Sequence, residues 1–151
     1  MTIKQQIDRD LKQAMLAKDK ATTMTLRGLK SVILYAEVAE GARDTGLAEE
    51  KVIELLSKEA KKRRESIMMY IDGDRQDRAD TEIAEKAVIE GYLPEQMSEE
   101  DLSKLIVKAI ADTGAAGIKD MGRVIGIVKQ QTSGRANGGR IADKVKELLA
   151  E

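Results

Sequence analysis

Residues 47–71 contain neither glycine nor proline, and their apolar residues recur at the spacing of a helical turn. Val52, Leu56, Ala60, Ile67 and Ile71 mark one face, which Ile53, Leu55 and Met68 widen. This pattern predicts a long helix with one side buried against other helices. Lys61, Lys62, Arg63 and Arg64 interrupt it with consecutive positive charges. They cannot all point one way on a helix. At least one must sit beside the apolar stripe, its stem buried and its charge wet. The plain reading is a solvated face; the functional one is a contact point for phosphate or an acidic partner.

The rest of the chain keeps the same period. Thr2 with Gln5 forms a capping box for a first helix through Ile3, Ile7, Leu11 and Ala14, ending near Lys18. Asp19 caps a second helix, with Met24, Leu26, Leu29, Ile33, Tyr35 and Val38 as its expected core positions. Gly28 lies inside that helix, where lack of a Cβ lets a neighbouring backbone come close. Gly41 ends it, and Thr45 is the expected cap of the long third helix. Residues 75–80 read as a charged connector, followed by a helix over residues 82–90. Glu82, Glu85 and Glu90 are expected to face solvent. Pro94, the only proline, follows Tyr92 and Leu93 and marks a domain boundary.

Beyond it, Ser98 with Asp101 opens a helix carrying Leu102, Leu105, Ile106, Ala109 and Ile110, closed by Gly114. Asp120 is the expected cap of the next helix, where Gly122 and Gly126 make a packing notch. Asn137 caps a last helix holding Ile141, Val145, Leu148 and Leu149. The expectation is an all-α chain: a four-helix N-terminal domain over residues 1–93, then a small three-helix module over residues 96–151.

Composition narrows the chemistry. The 151 residues include 26 basic and 27 acidic ones, so nothing in the global charge draws a polyanion, and any nucleic-acid contact must be a local patch. There is no Cys and no His, which removes thiol chemistry, the commonest general base and the commonest metal ligand. With three Tyr and no Phe or Trp, the stacking mode of single-strand binding has little to work with. No phosphate-binding glycine loop is present. Neither cofactor nor metal is expected, and catalysis by this chain alone is not. The N-terminal residues form no apolar signal core and no run approaches a membrane span, so a cytoplasmic protein is expected, with no membrane and no DNA partner.

The functional candidates are cationic. Lys119, Arg123 and Lys129 lie in or beside the helix after Asp120, and Arg135 and Arg140 bracket the glycine-rich loop before the last helix. Phosphate contact suits them, supplemented by N–H groups at the start of that helix. A secondary surface comprises Arg27, Lys61, Arg63 and Arg64, provided that the second and third helices pack side by side. For the first set the plain reading is a solubilising loop; for the second it is a network of ion pairs with nearby Glu residues.

Several of these stretches carry a likeness. Leu26, Arg27, Gly28, Leu29, Lys30 and Ser31 resemble the second-helix motif of the GatB/YqeY family. The run from Lys58 to Ser66 followed by Tyr70 resembles that family as well, and Tyr92, Leu93, Pro94 and Gln96 its interdomain motif. In the last third, Gly114 and Ala115, residues 120–126 and residues 134–138 resemble its C-terminal module. Asn137 stands where that family usually has Asp, and Gln130 and Gln131 where Pro and a basic residue are common. The resemblance implies a helical N-terminal part and a three-helix module similar to the tail of the tRNA amidotransferase B subunit, which helps hold tRNA. Neither the ATP-using cradle of that subunit nor its amidase partner has a counterpart here.

The expected role is therefore a tRNA-associated accessory module without independent catalysis, partnered by tRNA and by amidotransferase or aminoacyl-tRNA machinery proteins. Two alternatives stand beside it. One is a component of carbon–nitrogen ligase activity, with glutamine as amido donor and partner subunits. The other is a helical protein-interaction module.

Overall fold

The computed structural model describes residues 1–150. Every regular element among them is helical: seven α-helices and one short 3-10 turn, with no strand. The chain divides into two compact units, Met1–Leu93 and Pro94–Glu151. No helix among the described residues is long and apolar enough to cross a membrane.

In the first unit, α1 (Ile3–Leu16) opens with a complete capping box. The Thr2 hydroxyl accepts from the Gln5 amide at 3.2 Å, while the Gln5 side chain accepts from the Thr2 amide at 2.9 Å. These satisfy donors that no helical carbonyl reaches, a contribution of about 1 kcal/mol. Asp19 caps α2 (Lys20–Ala39) by accepting from the Thr22 amide at 3.1 Å. Leu26, Leu29 and Ile33 of α2 are fully buried with Ile3 and Ile7 of α1. Met24, Tyr35 and Val38, expected in the core, are exposed instead. The helix carries apolar residues around more than one face, but only the face of Leu26, Leu29 and Ile33 meets the unit's core. Gly28 is exposed, and nothing lies within 4 Å of where its Cβ would be, so the expected close approach of another backbone is absent.

The third helix, α3 (Glu49–Asp72), begins later than expected and without a Thr45 cap; Ala48 stands at the cap position and offers no side-chain bond. Acidic residues serve the helix start instead. Glu49 and Glu50 occupy the positive first turn, and the Glu49 carboxylate accepts from the Ile3 amide of α1 at 3.3 Å. The apolar stripe is buried only in its first half, at Val52, Leu56 and Ala60; Met68 and Ile71 are exposed. The fourth helix, α4 (Gln76–Glu90), starts six residues before the expected 82 and absorbs most of the charged connector. Its dense charges hide the period, yet Ala79 is fully buried, as is Ile89. The principal packing partner of α3 is α4, and that of α2 is α1.

In the second unit, Ser98 caps α5 (Glu99–Thr113), accepting from the Asp101 amide at 3.1 Å. Gly114 ends it in the left-handed region at φ 66°, where a Cβ would be strained. A 3-10 turn, Ile118–Asp120, leads into α6 (Met121–Thr132). Asp120 does not cap α6 with its side chain, as expected; its carboxylate accepts from the Ala116 amide at 3.0 Å and closes the preceding turn. The last helix, α7 (Gly138–Leu149), is capped by Asn137, whose Oδ1 accepts from the Arg140 amide at 2.8 Å. Leu102, Ile106, Val124, Val128, Ile141 and Val145 form a fully buried core from all three helices.

Candidate nucleic-acid interface

The outward face of α6 has unusually little relief. Val124 and Val128 point into the core, which leaves Gly122, Arg123, Gly126 and Lys129 exposed. Gly122 and Gly126 are not the packing notch that their spacing predicts, because nothing lies within 4 Å of either Cβ position. They form a bare floor with a cation towards each end. Lys129 follows Arg123 by six positions, about 9 Å along the axis.

Lys129 reaches towards α7. Its ammonium lies 3.8 Å from where a Cβ on Gly138 would sit, against the first residue of that helix. A helix N-terminus carries partial positive charge, so the ammonium and the open N–H groups there reinforce one another towards an anion.

Arg140, Arg135 and Arg123 are engaged. The Arg140 guanidinium donates to Glu99 at 2.7 and 3.0 Å and to the Met97 carbonyl at 2.9 Å, joining the start of α7 to the start of α5. Arg135 donates to the Thr132 and Gln131 carbonyls at 3.1 and 3.4 Å and so finishes α6. Arg123 donates to the Thr113 carbonyl at 3.1 Å, with the Asp120 carboxylate at 3.8 Å. Lys119 is exposed on the 3-10 turn. The bond from the Ala116 amide, with Arg123 and Lys119 nearby, holds the Asp120 carboxyl below its ordinary range. The five cations thus fall into two groups. Lys119 and Arg123 stand at the start of α6, while Lys129, Arg135 and Arg140 surround the α6–α7 connection.

The first unit does not gather its four candidates. Arg63 is half-buried between α3 and α4, bonded to Glu59 at 2.8 Å and Glu85 at 3.1 Å, with Glu82 at 3.8 Å. Lys62 adds a second bond to Glu59 at 3.0 Å. Burial pushes the Glu59 carboxyl up, but the bonds from Lys62 and Arg63 outweigh it and hold the group below its usual range. Glu82 and Glu85 therefore face Arg63, not solvent alone. Lys61 and Arg64 are exposed on α3, and Arg27 is exposed on α2 with its guanidinium 4.0 Å from the Met15 sulfur.

The Yqey-like protein family matches residues 4–149. The chain belongs to the YqeY-like family. Similar curated proteins carry the name "Altered inheritance of mitochondria protein 41, mitochondrial". The one from Pyrenophora tritici-repentis is 27% identical over 93% of this chain and 77% of its own length. That from Vanderwaltozyma polyspora is 38% identical over 58% of this chain and 46% of its own length, and that from Kluyveromyces lactis 31% over 70% and 57%. The chain spans about half the length of these last two relatives. The relatives' mitochondrial names overturn the expectation of a cytoplasmic location. That expectation rested on the lack of an apolar signal core, which bears on secretion. Mitochondrial targeting uses amphipathic, Arg-rich segments that such a test does not see.

Two part-buried polar contacts in this YqeY-like chain had no sequence signal. The Glu37 carboxylate of α2, 2% exposed, accepts from Lys4 of α1 at 2.9 and 3.0 Å. The Tyr92 hydroxyl donates to Asp10 of α1 at 2.6 Å. Burial and the bond to Asp10 raise the Tyr92 phenol well above its ordinary value, while Tyr92 and Arg9 lower the Asp10 carboxyl. Tyr92 was legible as a motif residue; its role of tying the end of α4 to α1 was not.

Proposed function

We propose that the chain is a tRNA-associated accessory module without catalysis of its own, related to the glutamine-dependent tRNA amidotransferases. In this reading a four-helix domain precedes a three-helix domain similar to the tail of the amidotransferase B subunit. The outward face of α6 meets the sugar–phosphate backbone. The observation that carries the reading is the bare floor of Gly122 and Gly126 between Arg123 and Lys129. Missing side chains let a backbone come close, and the flanking cations supply the attraction. Arg135 and Arg140 shape the loop beside this face, and Lys119 extends it.

The test is tRNA binding across a salt series. Affinity should fall as salt rises, because phosphate contacts release counterions. Lys129→Gln should weaken binding and reduce the salt slope by about 1, with the fold intact. Absence of binding at low salt, or an unchanged slope in both Lys129→Gln and Arg123→Gln, overturns the reading. Arg140 is a poor probe, because its loss also frees Glu99 and the Met97 carbonyl.

A further inference from the structure

The second helix has a face that the fold of its own unit leaves uncovered. Met24, Arg27, Gly28, Ser31, Leu34, Tyr35 and Val38 recur at three- and four-residue spacing, and all are exposed. Met24 and Tyr35 are 73% and 77% exposed, so these are open side chains and not the margins of a buried stripe. Met15, at the end of α1, borders this face, its sulfur 4.0 Å from the Arg27 guanidinium. Gly28 lies near the middle, with nothing within 4 Å of its Cβ position. A mid-helix glycine weakens a helix, and here no contact among the described residues requires one.

We infer that this face is a self-association surface, on which α2 of one copy packs antiparallel against α2 of a second copy about a dyad at Ser31. Relief and charge both select that occupant. In this register Gly28 faces Leu34 of the other copy, so the hollow receives the bulky side chain. Met24 faces Val38. Arg27 faces Tyr35, placing a guanidinium over an aromatic ring. The small Ser31 meets its own counterpart where the two helices come closest. The charged residues of the face, Lys20 and Arg27, are both cations in its N-terminal half. No carboxylate among the described residues pairs with either. Parallel pairing would set them against their own copies. Antiparallel pairing sets Lys20 at the C-terminal, partially negative end of the opposite helix. A polyanion is a poor fit, because the cations are interleaved with large apolar side chains. A single helix of this length, about 30 Å, offers less than a standard interface, so the association is weak and concentration-dependent.

Sedimentation from about 10 μM to about 1 mM should show a monomer–dimer equilibrium. Because the chain has no Cys, Ser31→Cys supplies a unique thiol, which should oxidise to a disulfide-linked dimer. The same substitution at Ser103, on α5, should not. Gly28→Gln is the discriminating variant. It fills open space in the monomer and should raise the melting temperature by about 4 °C, while it abolishes the dimer. A monomer throughout the range overturns the inference and leaves the face to a different partner. A dimer that survives Gly28→Gln, or that links through Ser103→Cys as readily as through Ser31→Cys, also overturns it.

Discussion

Replacing Arg63 by Met tests whether the basic run of α3 faces outward to phosphate or inward to its own fold. The substitution keeps most of the side-chain stem and removes the guanidinium. Glu59 then keeps only Lys62, while Glu82 and Glu85, neighbours one turn apart on α4, lose the cation between them. Breaking a fully buried pair costs about 3–5 kcal/mol, and an exposed pair is worth about 0–1 kcal/mol. The Arg63 side chain is 22% exposed and that of Glu59 11%, so the expected loss lies between these limits, roughly 2 kcal/mol. In a domain of this size that lowers the melting temperature by about 10 °C. Urea unfolding followed by far-ultraviolet circular dichroism is the suitable assay, since the chain has no Trp.

The loss should depend on pH in a fixed direction. A carboxyl whose folded value is lowered contributes stability above its ordinary value, here 4.5, and loses it as pH falls through the folded value. The gap between parent and Arg63→Met should therefore close in acid. Adding Glu59→Gln should recover part of the loss at neutral pH, the signature of coupled neighbours. A variant within about 0.5 kcal/mol of the parent at neutral pH, or a gap that does not narrow as pH falls below 4.5, refutes the reasoning.

Tyr92→Phe should cost about 1.5–3 kcal/mol, because the hydroxyl donates to a charged carboxylate. Since the folded phenol titrates above its ordinary value of 10.0, parent stability should also decline as pH rises past that value, measured by urea midpoints in alkaline buffers. Asn137→Ala should cost about 1 kcal/mol through loss of the α7 cap, seen as faster amide exchange at residues 138–141. Gly126→Ala should stabilise by about 1 kcal/mol in thermal melts, since the added methyl meets nothing; destabilisation would mean that another backbone packs there.

Local chemistry made much of the fold readable. Thr2, Asp19, Ser98 and Asn137 bond the amides that their spacing from the next residues predicts. Each is decided within one turn of chain. The misread elements depend on partners far away in sequence. Met24, Tyr35 and Val38 have the same period as Leu26, Leu29 and Ile33, and only packing decides which set is buried. The start of α4 was hidden because Arg75, Asp77, Arg78 and Asp80 favour solvent in a loop and on a helix alike.

The cations follow the same rule. A sequence shows Arg63 and Arg140 as positive charges. Their commitments to Glu85, 22 residues on, and to Glu99, 41 residues back, exist only after folding. Lys129 forms no ion pair among the described residues, and its ammonium lies against Gly138, which has no side chain to pair with.

The bonds that join residues 96–99 to the α6–α7 connection have a mechanical consequence. Met97 donates to the Arg135 carbonyl at 2.8 Å, the Gln96 side chain to the Gly134 carbonyl at 3.4 Å, and Arg140 grips the Met97 carbonyl from the other side. Tension entering the second unit through Pro94 is therefore carried across to the glycine-rich loop before it reaches the first turn of α5. The loop and residues 96–97 are thus laced into one hydrogen-bonded piece, so a substitution that removes Gln96 or Arg140 should loosen the backbone next to Lys129.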